Sequence, residues 1–233
     1  MSVVNIAIDG PSGAGKSTIS QILATRLGLA YVDTGAIYRA IGLYMMRRGI
    51  DCADQEAVLR ALPSLEVAVS FQGGRQRTLL GGQDVSKELR RHEVSDCASK
   101  VSAMPEVRAH ILTLQRGIAA QHSCIVDGRD IGTVVLPQAD LKIFLTASPE
   151  DRARRRWNEL RRRGQRLSYE QVLRDIQERD RRDSERAVAP LKPAEDSLVV
   201  DTTGNTLEQS VALLQALLLN RFPAQLKEGK PCP

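Results

Sequence analysis

The stretch GPSGAGKST, Gly10 to Thr18, holds residue types suited to binding a phosphate chain. It matches G-x-x-x-x-G-K-[ST] without a gap. Glycines let successive backbone N–H groups turn inward around phosphate oxygens, and a helix starting just after them adds its positive end. Lys16 is placed to reach the β- and γ-phosphates of a nucleoside triphosphate, and the Ser17 hydroxyl to ligate Mg²⁺. Thr18 is a second hydroxyl beside it; the geometry of such loops favours Ser17. Gly10, Pro11, Ser12, Gly13, Ala14, Gly15, Lys16, Ser17 and Thr18 are therefore the candidate cradle. The same loop serves kinases, switch GTPases, motor ATPases and helicases. A GTPase would carry a guanine-reading N-K-x-D, which this chain lacks. A helicase or large motor would normally need more than 233 residues. A small-molecule kinase needs a second anion site beside the first, and positive charge over the transferring group.

Arginines offer that second site. Arg129 and Asp130 follow a short apolar run, at the end of a predicted strand. Arg179, Asp183 and Arg186 fall at i, i+4 and i+7 of a predicted helix, so two cations and a carboxylate share one face. Arginine binds phosphate through paired N–H groups, and a carboxylate accepts from ribose hydroxyls. The bland alternative is an intrahelical ion-pair ladder, worth a few tenths of a kcal/mol per pair. Arg152, Arg155 and Arg156 lie on or near one face of another charged helix. They suit a mobile cover over the phosphates, with Gly164 as a backbone hinge. A phosphate acceptor has its second pKa near ~6 and is already ionised at neutral pH, so no general base is required. His92, His110 and His122 accordingly read as solvated helix or loop residues.

The elements that must hold these groups alternate. Val3–Ile8, Leu29–Val32, Cys124–Asp127, Leu141–Leu145 and Ser197–Asp201 are short apolar runs, read as strands buried on both faces. Helical spacing marks Ile19–Leu27, Ala36–Arg48, about Lys87–Ser102, Pro105–Ala120, Glu150–Arg163, Tyr169–Arg182 and Thr206–Leu219. The pattern predicts an α/β fold, a parallel sheet wrapped by helices. Ligands bind such sheets beyond the carboxyl ends of the strands. DGPSGAGKS, DTG, DGRD and DTTG all fall there. Residues 63–87 break the rhythm with short runs and paired glycines, and read as a small antiparallel insert.

Bulk properties narrow the partners. The net charge is +5, which suggests an anionic partner without naming it. Aromatics make up 3% of the chain, too few for a stacking surface for single-stranded nucleic acid. Cys52, Cys97, Cys124 and Cys232 form no CxxC pair and have no histidine cluster, which argues against a zinc site or a disulfide frame and for a reducing compartment. The N-terminus lacks a signal-peptide pattern, and no run approaches the ~20 apolar residues of a membrane span, so a cytoplasmic protein is expected.

Taken together, DGPSGAGKST, DTGAIYR at Asp33–Arg39, DGRDIGTVV at Asp127–Val135 and RDRRDSERAVAPL at Arg179–Leu191 resemble the bacterial cytidylate kinases. The resemblance runs over nearly the full chain, in order, and includes the insert. It implies a P-loop NTPase fold of the nucleoside monophosphate kinase type, with the insert in an acceptor-binding lobe. One kinase domain over 1–222 would have its core at about 1–36 and 121–222, the lobe at about 37–120 and a lid at about 152–168. Residues 223–233 would be a frayed tail. The implied reaction is transfer of the γ-phosphoryl group of ATP, with Mg²⁺, to CMP or dCMP. Lys16, Arg129, Arg155 and Arg186 would be catalytic. Thr34 would position CMP, and Arg39, Arg129 and Arg186 would lie near the acceptor phosphate or the transferring group. Ser99, Arg108 and Asp130 would read cytosine, and Arg179 and Asp183 would hold the sugar. Relatives suggest a monomer without membrane or nucleic-acid partners. Two alternatives stay open: a kinase acting on UMP, AMP or a non-nucleotide such as shikimate, and a nucleotide switch whose basic helices grip nucleic acid.

Overall fold

The computed structural model describes residues 3–72, 75–162, 164–223 and 225–226. Five strands, β1 (Asn5–Asp9), β2 (Ala30–Asp33), β6 (Cys124–Asp127), β7 (Leu141–Thr146) and β8 (Leu198–Asp201), form one parallel sheet in the order β2-β6-β1-β7-β8. Residues such as Ile6, Ile8, Ile125 and Ile143 are buried within it, as the apolar runs predict. In register, Asp33 lies opposite Asp127, and Asp127 opposite Ile8, so the acidic strand ends share one edge.

Helices cover both faces. On one, Ile19 and Leu23 of α1 (Lys16–Leu27) pack with Val211, Leu214 and Leu218 of α8 (Leu207–Arg221). On the other, Ile118 and Ala119 of α5 (Pro105–Gln121) meet Ile131 and Val135 of a π-helical turn that follows β6. Local chemistry sets the helix ends. Thr206 and Gln209 form a reciprocal capping box at α8, and Pro105 occupies the first turn of α5.

The insert is a three-stranded antiparallel sheet, β3 (Val67–Gln72), β4 (Arg75–Leu80) and β5 (Gln83–Asp84). It packs with α2 (Thr34–Arg47), α3 (Gln55–Ala61), α4 (His92–Val101) and the start of α5 around a separate cluster of Ile37, Ile41, Met45, Val94, Val101 and Ile111. A helical hairpin, α6 (Pro149–Arg162) and α7 (Tyr169–Glu185), has a small core of its own: Ala153, Leu160, Val172 and Ile176, with Trp157 and Tyr169 against them.

Several readings need correction. Cys52 and Cys97 are joined as a disulfide, with their Cα atoms 5.4 Å apart. Their separation of 45 residues carries no local signature; the packing of α2 against α4 brings them together. Cys124 is a buried free thiol, and Cys232 lies outside the described residues. The helix expected from Lys87 is a 3₁₀ turn at Glu88–Arg90 followed by α4. Arg186 is not on the helical face shared by Arg179 and Asp183, because α7 stops at Glu185 and Arg186 has extended backbone. Gly164 closes α6. Its N–H donates to Arg161 O and that of Gln165 to Leu160 O, with φ +77° at Gly164, which makes a Schellman cap. His110 and His122 are exposed, as expected, the latter edge-on to Phe71. The expected tail lies mostly outside the described residues; Leu226 is buried against Phe222 and the core.

Candidate active site

The phosphate loop leaves β1 where no other residue type fits. A Cβ at Gly10 would lie 2.0 Å from Leu145 O, and φ there is +146°. Gly13 and Gly15 also have positive φ, and Gly15 opens α1. The Lys16 ammonium is buried and folds back to donate to Pro11 O at 2.8 Å. Burial, and next the Arg129 charge, hold it well below the usual lysine pKa. Ser17 Oγ donates to Asp127 Oδ2 at 2.7 Å, and Tyr31 Oη donates to Asp127 Oδ1 at 3.2 Å. Burial, and then the Asp33 charge, push the Asp127 carboxyl up to about 6.

Beside this loop stands a group of cations. Arg129 and Arg179 both act on Lys16, and Arg39 and Arg129 both act on Arg179. Burial, then repulsion from Arg129, bring the Arg179 guanidinium down to about 10. Its Nε is buried without a hydrogen-bond partner. Arg129 Nε donates to Asp183 Oδ2 at 3.0 Å. Burial tends to raise Asp183, but Arg129, Arg179 and Arg186 outweigh it and keep the carboxyl below its ordinary value. Arg39 donates to Asp33 Oδ2 at 2.6 Å, and Thr34 Oγ1 donates to Asp127 O at 2.7 Å.

Next to the cations is a second buried network. Arg108 donates to Asp130 Oδ2 and, at 3.0 Å, to Ser102 O. Arg186 Nη2 lies 3.6 Å from Asp130 Oδ1, with no hydrogen-bond partner of its own. The Tyr38 ring sits under Arg108, 5.5 Å from the guanidinium carbon. Ser99, Ser102, Asp183 and Arg186 line a cleft of about 330 Å³ between α4 and the end of α7. Arg39, Arg129, Arg179 and Asp183 thus join the charges around Lys16, Thr34 is tied to the end of β6, and Arg108, Asp130 and Arg186 form the adjoining network, while Ser99 meets Asp183 and Arg186 across the cleft.

Three arginines of α6 are tied down. Arg152 is buried and donates to Ala147 O at 2.8 Å, to Ser12 O at 3.0 Å and to Asp180. Arg155 donates to Thr202 O at 2.7 Å and to Ala14 O at 3.4 Å, beside the phosphate loop. Arg156 pairs with Glu159 at 2.8 Å.

Sequence reasoning named no role for Asp9, Asp33, Gln76 or Asp127. Three of these are acids at strand ends, a signal that was present in DGP, DTG and DGRD. Asp9 accepts from the N–H groups of Ile131 and Gly132, each at 2.7 Å, and so joins the phosphate-loop strand to the turn after Arg129–Asp130. Burial pushes Asp9 up to about 6. Gln76 belongs to the insert and had no motif to mark it.

The family model for cytidylate kinase matches residues 6–218. The chain is 47% identical over 209 residues to a cytidylate kinase of Caldicellulosiruptor bescii, covering 90% of this chain and 92% of that protein. To one from Carboxydothermus hydrogenoformans it is 46% identical over 215 residues, covering 92% and 97%. A solved structure of an uncharacterized protein from Eubacterium ventriosum shares the fold, with TM-score 0.53 and 10% identity, covering 92% of this chain and 98% of that one. Because the match runs from within β1 to within α8, taking in both the cradle and the arginine pocket, the chain belongs to the cytidylate kinase family.

Proposed function

We infer that this chain transfers the γ-phosphoryl group of ATP to CMP or dCMP, giving ADP and CDP or dCDP. One observation carries the reading. Lys16, Arg39, Arg129 and Arg179 crowd together beside the phosphate loop, and one buried guanidinium nitrogen among them lacks a partner. Asp183 beside Arg129 and Arg179, Asp33 beside Arg39, and Asp127 and Asp9 beside Lys16 offset part of their mutual repulsion, and bound phosphate would offset more. Two neighbouring phosphate groups, a donor and an acceptor, answer both features.

Transfer then needs alignment and charge neutralisation more than covalent help. Backbone N–H groups of the loop and Lys16 hold the donor. Arg39, Arg129 and Arg186 face the acceptor phosphate and the transferring group. Arg179 and Asp183 face the sugar, and Asp183 accepts from a 2′-hydroxyl. Ser99, Arg108 and Asp130 read the cytosine edge, where paired acceptors and donors discriminate among bases. Ser17 and Asp127 suit Mg²⁺: a hydroxyl and a carboxylate, both hard oxygen ligands, stand 2.7 Å apart. When bound, Mg²⁺ would neutralise charge on the donor phosphates. We read the enzyme as a monomer without nucleic-acid partners. Among the described residues no helix is long and apolar enough to cross a membrane.

Incubation with ATP, Mg²⁺ and each monophosphate in turn tests this, with ADP release as the measurement. CMP and dCMP should exceed UMP and AMP by at least about tenfold in kcat/KM, and EDTA should abolish turnover. A preference for AMP or a non-nucleotide acceptor would overturn the reading.

A further inference from the structure

Strand β2 is an edge strand, paired with β6 on one side. On its open side the Asp33 peptide is held by a side chain from the insert. The Asp33 N–H donates to Gln76 Oε1 at 2.7 Å, and Gln76 Nε2 donates back to Asp33 O at 3.2 Å. One amide thereby reproduces the two-bond exchange of an antiparallel residue pair. Its orientation is fixed, because a flipped amide would set two donors against each other at Asp33 N and two acceptors at Asp33 O; Nε2 also donates to the buried Thr78 Oγ1 at 3.2 Å.

Asp33 in turn holds Arg39. Its Oδ1 accepts from Ala36 N at 2.9 Å, capping α2, and its Oδ2 accepts from Arg39 Nη2 at 2.6 Å. A Cβ at Gly35 would lie 3.0 Å from Arg39 Nη1 and 3.1 Å from Asp33 Oδ1, so the pair fills the space where a larger residue would stand. From the other side, Thr34 Oγ1 ties the next residue to Asp127 O. The start of α2 is gripped by the core sheet through Thr34 and by the insert through Gln76.

We propose that Gln76 is a positioning residue for the acceptor phosphate, fixing the Asp33 peptide and, through the Asp33 carboxylate, the Arg39 guanidinium. The proposal rests on the reading that Arg39 faces the CMP phosphate. Gln76→Leu removes both bonds and leaves the Asp33–Arg39 pair free to shift. KM for CMP should rise about tenfold, with kcat within about twofold and KM for ATP unchanged, since the loss falls on binding of one substrate. Gln76→Glu keeps the acceptor for Asp33 N–H and loses the donor, so its KM for CMP should fall between wild type and Gln76→Leu. It also serves if Gln76→Leu does not fold. In an Arg39→Ala background the Gln76 change should add nothing further. A normal KM for CMP in Arg39→Ala overturns the role of Arg39 on which the proposal stands. A raised KM in Arg39→Ala with a normal one in both Gln76 variants overturns the Gln76 proposal alone. Equal loss for CMP and ATP, or additive effects in the double variant, overturns it as well.

Discussion

Behind the phosphate loop, the Asp127 carboxylate is pulled in two directions. Burial and the Asp33 charge favour its neutral form; Lys16 and the Ser17 hydroxyl favour the anion. The first pair wins, and the group titrates at about 6 rather than at the ordinary 3.8. Between those two pH values the folded chain binds more protons at this site than the unfolded chain, so its contribution to stability falls as pH rises and levels off above about 6. An asparagine amide in its place does not titrate. In buffer without metal or nucleotide, the stability of Asp127→Asn relative to wild type should therefore improve from pH 4 to pH 6, by on the order of 2 kcal/mol. Denaturant titrations at several pH values check this; parallel profiles for the two proteins would refute it. Adding Mg²⁺ and ATP at pH 7.5 should stabilise wild type more than the variant, because a ligand bound only by the folded state stabilises it.

At the scale of elements, α2 and α4 pack so closely that a Cβ at Gly42 would lie 3.1 Å from Ala98 N and 3.2 Å from the Cys97 sulfur. The Cys52–Cys97 bridge closes this unit across 45 residues of chain. A loop of that size contributes about 2–4 kcal/mol through the unfolded state. Cys52→Ser should lower Tm, and reductant should bring wild type down to the variant while leaving the variant unmoved. Wild type that melts at one temperature with and without reductant would count against the bridge. This unit also marks where sequence reading stops. The apolar runs of β1 and β6, the Pro105 start of α5 and the Gly81–Gly82 turn of the insert are local signals, and each is legible. The disulfide, the Gln76 amide and the approach of Arg108 to Asp130 depend on segments meeting after folding, which no spacing records. Arg186 shows a finer limit: helical periodicity placed it on the α7 face, but the helix ends one residue earlier, and its guanidinium reaches Asp130 from an extended strand of chain.

Among the described residues the whole molecule has four apolar clusters: two on the sheet, one around the insert and one in the α6–α7 hairpin, with Val69 and Leu114 packed against both the insert cluster and one of the sheet clusters. Of these, the α6–α7 hairpin buries hydrophobic residues that belong to no other cluster. Its links to the rest are polar: Arg129–Asp183, and Arg152 and Arg155 on loop carbonyls. Polar joints of this kind permit relative motion more readily than shared apolar cores do. Trp157 packs inside the hairpin, where its Nε1 donates to Leu167 O at 3.0 Å and ties α6 to the loop before α7. Closing the hairpin over the phosphates would carry Arg155, which now rests on Thr202 O and Ala14 O at the rim of the phosphate loop, toward the transferring group. An arginine that meets its target only in the closed, reacting state contributes to kcat and little to acceptor binding. Arg155→Ala should then lower kcat by roughly 10- to 100-fold while KM for CMP stays within about twofold. Steady-state kinetics with CMP varied at saturating ATP separates the two. Equal losses in kcat and in CMP affinity would make Arg155 a structural strut between α6 and the loops beneath it, and no loss in either would leave closure to other residues.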